Sequence, residues 1–224
     1  MKTYFIEARS DAEVKLSREM IAKLPKKIAL FTTIQYYYNI LKVKAELEKS
    51  GRKVILLKTK RTKPGQLLGC SIEKFKGDFE AFFYIGDGLF HPKALMFYNN
   101  KPVFVLNPLS NKFLRLEEKE VDGIRKRTKG AMLKFLAGKY AGFLISTKPG
   151  QKNIQATILD LERFEKNYPD KEFYYFITDE IRNEQLESFP FIEVFINCAC
   201  PRLALDDSLR FEKPIINFTA FQRR

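Results

Sequence analysis

Apolar runs of four to six residues, rich in Val, Ile, Phe and Tyr, alternate along this chain with longer stretches whose apolar residues recur every three or four positions. Short uninterrupted runs suit strands buried on both faces, and the 3.6-residue recurrence suits helices laid against them. The alternation predicts an α/β fold built on parallel sheets. Strands are expected at Ile28 to Thr32, Lys53 to Leu57, Ala81 to Ile85 and Val103 to Leu106, with a helix over Tyr36 to Ser50 that Ser50-Gly51 ends.

The same order returns in the second half: a strand at Gly142 to Ser146, a helix over Ile154 to Asn167, then strands at Glu172 to Ile177, Glu193 to Ile196 and Ile215 to Phe218. Lys53-Val54-Ile55-Leu56-Leu57-Lys58 matches Glu172-Phe173-Tyr174-Tyr175-Phe176-Ile177. Lys101-Pro102-Val103-Phe104-Val105-Leu106 matches Lys213-Pro214-Ile215-Ile216-Asn217-Phe218. The chain therefore reads as a duplicated unit, two similar domains each with a small parallel sheet and flanking helices. The charged stretch Arg115 to Leu136 reads as a helix across their boundary, which gives a first domain at 25–137 and a second at 138–224.

Composition narrows the setting. With 224 residues, 45% of them hydrophobic, the chain can bury two cores. No run approaches the roughly 18 apolar residues of a membrane span, and Met1-Lys2-Thr3-Tyr4-Phe5-Ile6-Glu7 does not read as a signal peptide, so a soluble cytoplasmic protein is expected. Three cysteines, an odd and scattered set, favour thiols or metal thiolates over a disulfide framework. The net charge of +13 raises nucleic acid as a partner, but Lys58 to Lys63 and Arg125 to Lys129 lack interleaved stacking aromatics. Solvated surface, or steering toward an acidic or ribosome-associated partner, accounts for them better.

Candidate chemistry gathers at Gly65-Gln66-Leu67-Leu68-Gly69-Cys70, Gly86-Asp87-Gly88-Leu89-Phe90-His91-Pro92, Ser146-Thr147-Lys148-Pro149-Gly150-Gln151 and Asn197-Cys198-Ala199-Cys200-Pro201-Arg202-Leu203-Ala204-Leu205-Asp206-Asp207. In open parallel sheets ligands bind outside the carboxyl ends of the strands, where these segments fall. Pro201 biases Cys200 toward extended backbone, in which residues two apart point the same way, so Cys198 and Cys200 are expected to face one site. A buried structural pair is the other reading of the two thiols. Arg202 and Asp206 are spaced to share a helix face.

In this order the four segments resemble the archaeal diphthamide synthases. The resemblance implies a 4Fe-4S cluster that splits S-adenosylmethionine, and radical transfer of a 3-amino-3-carboxypropyl group to a histidine of translation elongation factor two. It implies Cys70 and Cys200 as cluster ligands, Cys198 standing where the family usually has Thr. The family's third ligand belongs to an N-terminal domain most of which this chain lacks, so either Cys198 or another polypeptide supplies it. By the same resemblance Lys148, Gly150 and Gln151 wall the adenosylmethionine pocket. Arg202 would take the methionine carboxylate and Asp206 or Asp207 its ammonium, while Gln35 shapes the cleft; His91, the only histidine, reads either as structural or exposed, or as lining the cluster cavity or orienting a reacting group through hydrogen bonds. Residues 1–24, strand-like at Thr3 to Glu7 and helical at Ala12 to Lys23, resemble the last strand and exit helix of the missing domain. Expected partners are elongation factor two and either a second copy or a separately encoded first domain. A non-catalytic partner subunit is the alternative within the family, and a basic RNA-binding protein the alternative outside it.

Overall fold

The computed structural model describes residues 4, 6–59, 62–69, 73–148 and 154–222. The chain divides into two compact units, 1–122 and 123–224, the division falling inside a helix rather than after it.

The first unit holds β1 (Lys27–Thr32), β2 (Lys53–Ile55), β3 (Ala81–Ile85), β4 (Val103–Asn107) and β5 (Lys112–Arg115), in the spatial order β2-β1-β3-β4-β5. The first four run parallel, and β5 returns antiparallel beside β4. Ile28, Ala29, Leu30 and Phe31 are all fully buried, as a central parallel strand covered on both faces requires. Helix α2 (Ile40–Lys49) sets Ile40, Val43 and Leu47 into the core with Ile28, Leu30 and Phe83. It stops at Gly51, whose φ of +84° closes the turn without Cβ strain. Helix α3 (Phe90–Asn99) joins β3 to β4.

The second unit repeats the plan. Strands β6 (Tyr140–Ser146), β7 (Glu172–Thr178), β8 (Val194–Asn197) and β9 (Ile215–Asn217) lie in the order β7-β6-β8-β9, all parallel. This is the β2-β1-β3-β4 order of the first unit, so the strands matched by sequence, β2 with β7 and β4 with β9, occupy equivalent places. Helices α4 (Lys119–Ala137) and α5 (Ile154–Glu165) contribute Ala131, Phe135, Leu161 and Phe164 to its core, and the short α6 (Asn183–Glu187) buries Leu186. Gly142 is demanded by packing: a Cβ there would stand 2.7 Å from the Phe176 ring and 2.8 Å from that of Phe195.

Several expectations give way. The expected strand over Lys53 to Leu57 ends at Ile55. The helix over Tyr36 to Ser50 begins as a 3₁₀ segment, Ile34–Asn39, and becomes α-helical only at Ile40, because its first turn is aromatic rather than helix-forming. Arg115 lies in β5, not in a helix. The β4–β5 hairpin turns where Asn107 Oδ1 accepts the N–H groups of Leu109 and Ser110 and Asn111 adopts φ +52°. Thr3 and Phe5 lie outside the described residues. Tyr4 and residues 6–17 are irregular, and only α1 (Arg18–Lys23) is helical, started by Ser17, whose Oγ accepts the Met20 N–H at 3.2 Å. The irregular segment is strapped down by the Ser10 N–H to Gln35 C=O bond, the Tyr38 hydroxyl on the Ser10 carbonyl and buried Val14.

Candidate functional site

In the second unit the site starts from two asparagines. Asn197 ends β8 and Asn217 ends β9, in register with each other and both buried. Asn197 Nδ2 donates to Asn217 Oδ1 at 2.6 Å and to the Cys200 carbonyl at 2.8 Å, and its Oδ1 accepts the Ala199 N–H at 3.1 Å. Asn217 Nδ2 donates to the Pro201 carbonyl at 3.0 Å. The pair thus holds the backbone of 199–201 against the carboxyl end of the sheet. Buried carboxamides with both ends bonded are costly to disturb and define a single loop conformation.

This clamp corrects the expectation that both thiols face one site. The chain bends at Ala199, so the alternation of an extended segment does not carry from Cys198 to Cys200. Cys198 is buried with Phe143, Ile145, Phe164 and Phe218, and its Sγ–H points to the Ile196 carbonyl at 3.7 Å. Cys200 is exposed. Pro201 then starts α7 (Arg202–Leu205). Arg202 sits 3.2 Å from Asp206 and 3.5 Å from Asp207, with Arg210 3.8 Å from Asp207 on its other side. The expected shared face of Arg202 and Asp206 is present, and the helix adds Asp207 to it. An exposed thiol, a guanidinium and two carboxylates therefore project from one turn of chain beyond β8.

Lys148 is exposed beyond β6, where its N–H donates to the Ser146 hydroxyl at 3.2 Å. Gly150 and Gln151 lie outside the described residues.

In the first unit the corresponding end of the sheet is organised by Tyr84 and His91. Burial, then the charge of Asp87, pushes the Tyr84 phenol far above its usual range, so it stays a neutral donor. Its hydroxyl lies 3.5 Å from His91 Nδ1, and the two rings stack at 5.9 Å. Phe90, beside His91 at the start of α3, lies against Gly69, where a Cβ would come within 2.5 Å of its ring. That contact brings the residue preceding Cys70 to the start of α3; Cys70 itself lies outside the described residues. Among the described residues, no three His, Cys, Asp or Glu side chains converge as a metal site. None of the helices there is long and apolar enough to cross a membrane. Gln35 Oε1 accepts the Thr33 hydroxyl at 2.7 Å, beyond the end of β1.

Asn197, Asn217 and Tyr84 were not singled out by sequence reasoning. The signal was present in the polar residue closing two apolar strands, Phe-Ile-Asn and Ile-Ile-Asn, since a buried Asn at a strand end needs partners.

Residues 1–222 match the diphthamide synthesis protein family. The chain is similar to 2-(3-amino-3-carboxypropyl)histidine synthase of Pyrococcus horikoshii, 30% identical over 198 residues, which is 88% of this chain and 56% of that protein. It is 32% identical over 201 residues to 2-(3-amino-3-carboxypropyl)histidine synthase subunit 1 of Candida albicans, covering 84% of this chain and 45% of that one. The crystal structure of Dph2 from Pyrococcus horikoshii with a 4Fe-4S cluster superposes with a TM-score of 0.73 at 29% identity, over 89% of this chain and 57% of that chain. The chain spans about half the length of these relatives.

Proposed function

The chain belongs to the diphthamide synthesis protein family, and from that premise we propose that it carries the adenosylmethionine-binding part, and two of three cluster thiolates, of a 3-amino-3-carboxypropyl transferase acting on a histidine of translation elongation factor two. The observation that carries this is the clamped turn beyond β8. It presents Cys200 and, within one helical turn, a guanidinium flanked by two carboxylates.

Each residue then has a physical role. Arg202 receives the methionine carboxylate of the co-substrate, for which a guanidinium offers paired donors. Asp206 and Asp207 receive its ammonium. In the absence of the zwitterion the two charge types satisfy each other, and an amino acid replaces ion pair with ion pair without leaving either charge uncompensated. Lys148 is assigned to the same adenosylmethionine pocket, as the family resemblance assigns Gly150 and Gln151. Asn197 and Asn217 hold the Cys200 carbonyl and the turn in place.

Cys200, an exposed thiol on a fixed turn, suits a 4Fe-4S cluster ligand, and the family resemblance assigns the second to Cys70, which lies outside the described residues. When bound, such a cluster supplies a low-potential electron and an open iron to a sulfonium. Cys198 fits less well, because taking its sulfur from the core to a metal would empty a packed position among four apolar side chains. We therefore assign the third thiolate to another polypeptide, in a reducing cytoplasm where thiolates persist. His91, held by Tyr84, lines the cluster side of the first unit.

The test is anaerobic reconstitution with iron and sulfide, read by electron paramagnetic resonance of the reduced protein with and without adenosylmethionine. With dithiothreitol supplied to occupy the position left for the third thiolate, a 4Fe-4S signal that adenosylmethionine alters, lost in Cys70→Ala and Cys200→Ala and kept in Cys198→Ala, is expected. Loss in Cys198→Ala would return the third ligand to this chain. A signal indifferent to Cys200 would overturn the site.

A further inference from the structure

We propose that Arg127 is a positioning residue for the charged face of α7: given room by Gly123 and acting through the Ser208 hydroxyl, it fixes the turn that carries Asp206 and Asp207. The inference rests on the reading of that face as the adenosylmethionine site.

Helix α7 has only four residues, too few to hold its own geometry, since a first helical turn fixes several dihedral angles for very few hydrogen bonds. Its start is held by the asparagine clamp, which reaches the Pro201 carbonyl. Its end needs a separate support, because the last carbonyls of a helix find no partner within it. The Arg202 carbonyl accepts the N–H groups of Asp206 at 2.9 Å and Asp207 at 3.0 Å. The Leu205 carbonyl is met from beyond the helix, by the Ser208 hydroxyl at 3.2 Å. Ser208 is buried and opens a 3₁₀ turn, Ser208–Arg210. A hydroxyl that donates once can still accept. The Ser208 oxygen accepts the Arg127 Nε–H at 2.9 Å, from α4, and both residues lie in the second unit. Arg127, Ser208 and Leu205 thus form one donor-to-acceptor chain that closes α7 at its carboxyl end.

Asp207 sits inside that closure, between Leu205 and Ser208. Its carboxylate lies 3.5 Å from Arg202 and 3.8 Å from Arg210, and its carbonyl accepts the Arg210 N–H at 2.9 Å. Exposed ion pairs of this kind do not fix a backbone by themselves. The buried Ser208, next in the chain, does so for them, and Arg127 holds Ser208. Gly123 supports the assignment independently. Glycine within a helix costs stability relative to alanine, yet one stands in α4 a turn before Arg127. A Cβ there would come within 3.2 Å of Arg127 Nη1, so the glycine leaves the guanidinium its place.

The test is anaerobic calorimetry of adenosylmethionine binding to the chain reconstituted with iron, sulfide and dithiothreitol and left unreduced, so that the co-substrate is bound and not consumed. Melting temperatures are measured alongside. Arg127→Met should raise the dissociation constant roughly tenfold, and Ser208→Ala by a similar factor. The double variant should bind about as well as either single one, because both changes cut the same chain of bonds. Gly123→Ala should weaken binding by a smaller factor while melting at or above the parent temperature, an outcome that a purely structural role would not give. It also carries the test if Arg127→Met fails to fold. Binding as tight as the parent's in Ser208→Ala or Gly123→Ala, with Arg202→Lys weakened, would overturn the inference and leave the proposed function standing. Losses that multiply in the double variant would put Arg127 on the co-substrate itself and overturn the positioning role. A parent chain that binds no adenosylmethionine would overturn the proposed function and this inference with it.

Discussion

The two units share a strand order, β2-β1-β3-β4 and β7-β6-β8-β9, and differ where the sheet ends. The first covers the outer side of β4 with the antiparallel β5 and keeps β2 short. Among the described residues, the second pairs β9 with β8 alone and has a β7 that is long and aromatic. At the carboxyl ends the contrast is chemical. The first unit gathers a buried neutral phenol, an imidazole and a glycine packed on Phe90. The second gathers a clamped turn with a thiol and alternating charges. A duplicated strand order thus carries two different chemistries at its carboxyl ends, and the loops decide which.

The largest expected break in this contrast is Cys200→Ala, which should abolish cluster assembly in reconstitution while leaving thermal stability nearly unchanged, because the thiol is exposed. Next is Arg202→Lys. It keeps the charge but not the paired donors, and should weaken adenosylmethionine binding by roughly 10- to 100-fold in calorimetry. Its effect on folding should be only about 0.5 kcal/mol, as for other exposed ion pairs. Asn217→Ala removes the bond to Pro201 and one partner of Asn197, leaving buried polar atoms unmet. A loss of about 2 kcal/mol in denaturant titration is expected, with the first unit's Tyr84–His91 pair untouched.

The smallest effect is a pH dependence at the junction of α4 and β6. The Glu193 carboxylate accepts the N–H groups of Tyr140 at 3.0 Å and Lys139 at 2.6 Å, bonds that, with Lys134, hold it below the usual 4.5. A depressed folded value means that the stabilisation is full above about pH 4.5 and fades as pH falls through the folded value. Glu193→Gln should cost about 1 kcal/mol at neutral pH, discounted for partial exposure, and less below pH 4. Equal losses at both pH values would show that the carboxylate's charge contributes nothing.

Much of the scaffold was legible because it rests on local pattern. The runs at Ala81 to Ile85 and Gly142 to Ser146 are continuous and apolar because both faces of a parallel strand are covered, and no other arrangement of so short a run removes it from water. The β4–β5 hairpin was missed because its turn depends on the Asn107 carboxamide and on Asn111 at positive φ, not on periodicity. The span of α1 was misread because the Ser17 cap competes with a helical pattern that begins earlier.

Of the candidate site, the i, i+4 spacing of Arg202 and Asp206 placed them correctly on one face, since helical geometry fixes neighbours by number alone. The same style of inference failed for Cys198 and Cys200. Their separation in environment is set by Asn217, nineteen residues after Cys198, acting with Asn197 through strand register. Residue types and their spacing by themselves determined the strands, the duplication and the charged face of α7. Only the tertiary structure decided which thiol is buried, which loop is clamped and which sheet edge stays open. Those outcomes depend on hydrogen bonds between segments distant in the chain, whose partners are selected by the folded sheet and not by neighbouring residues.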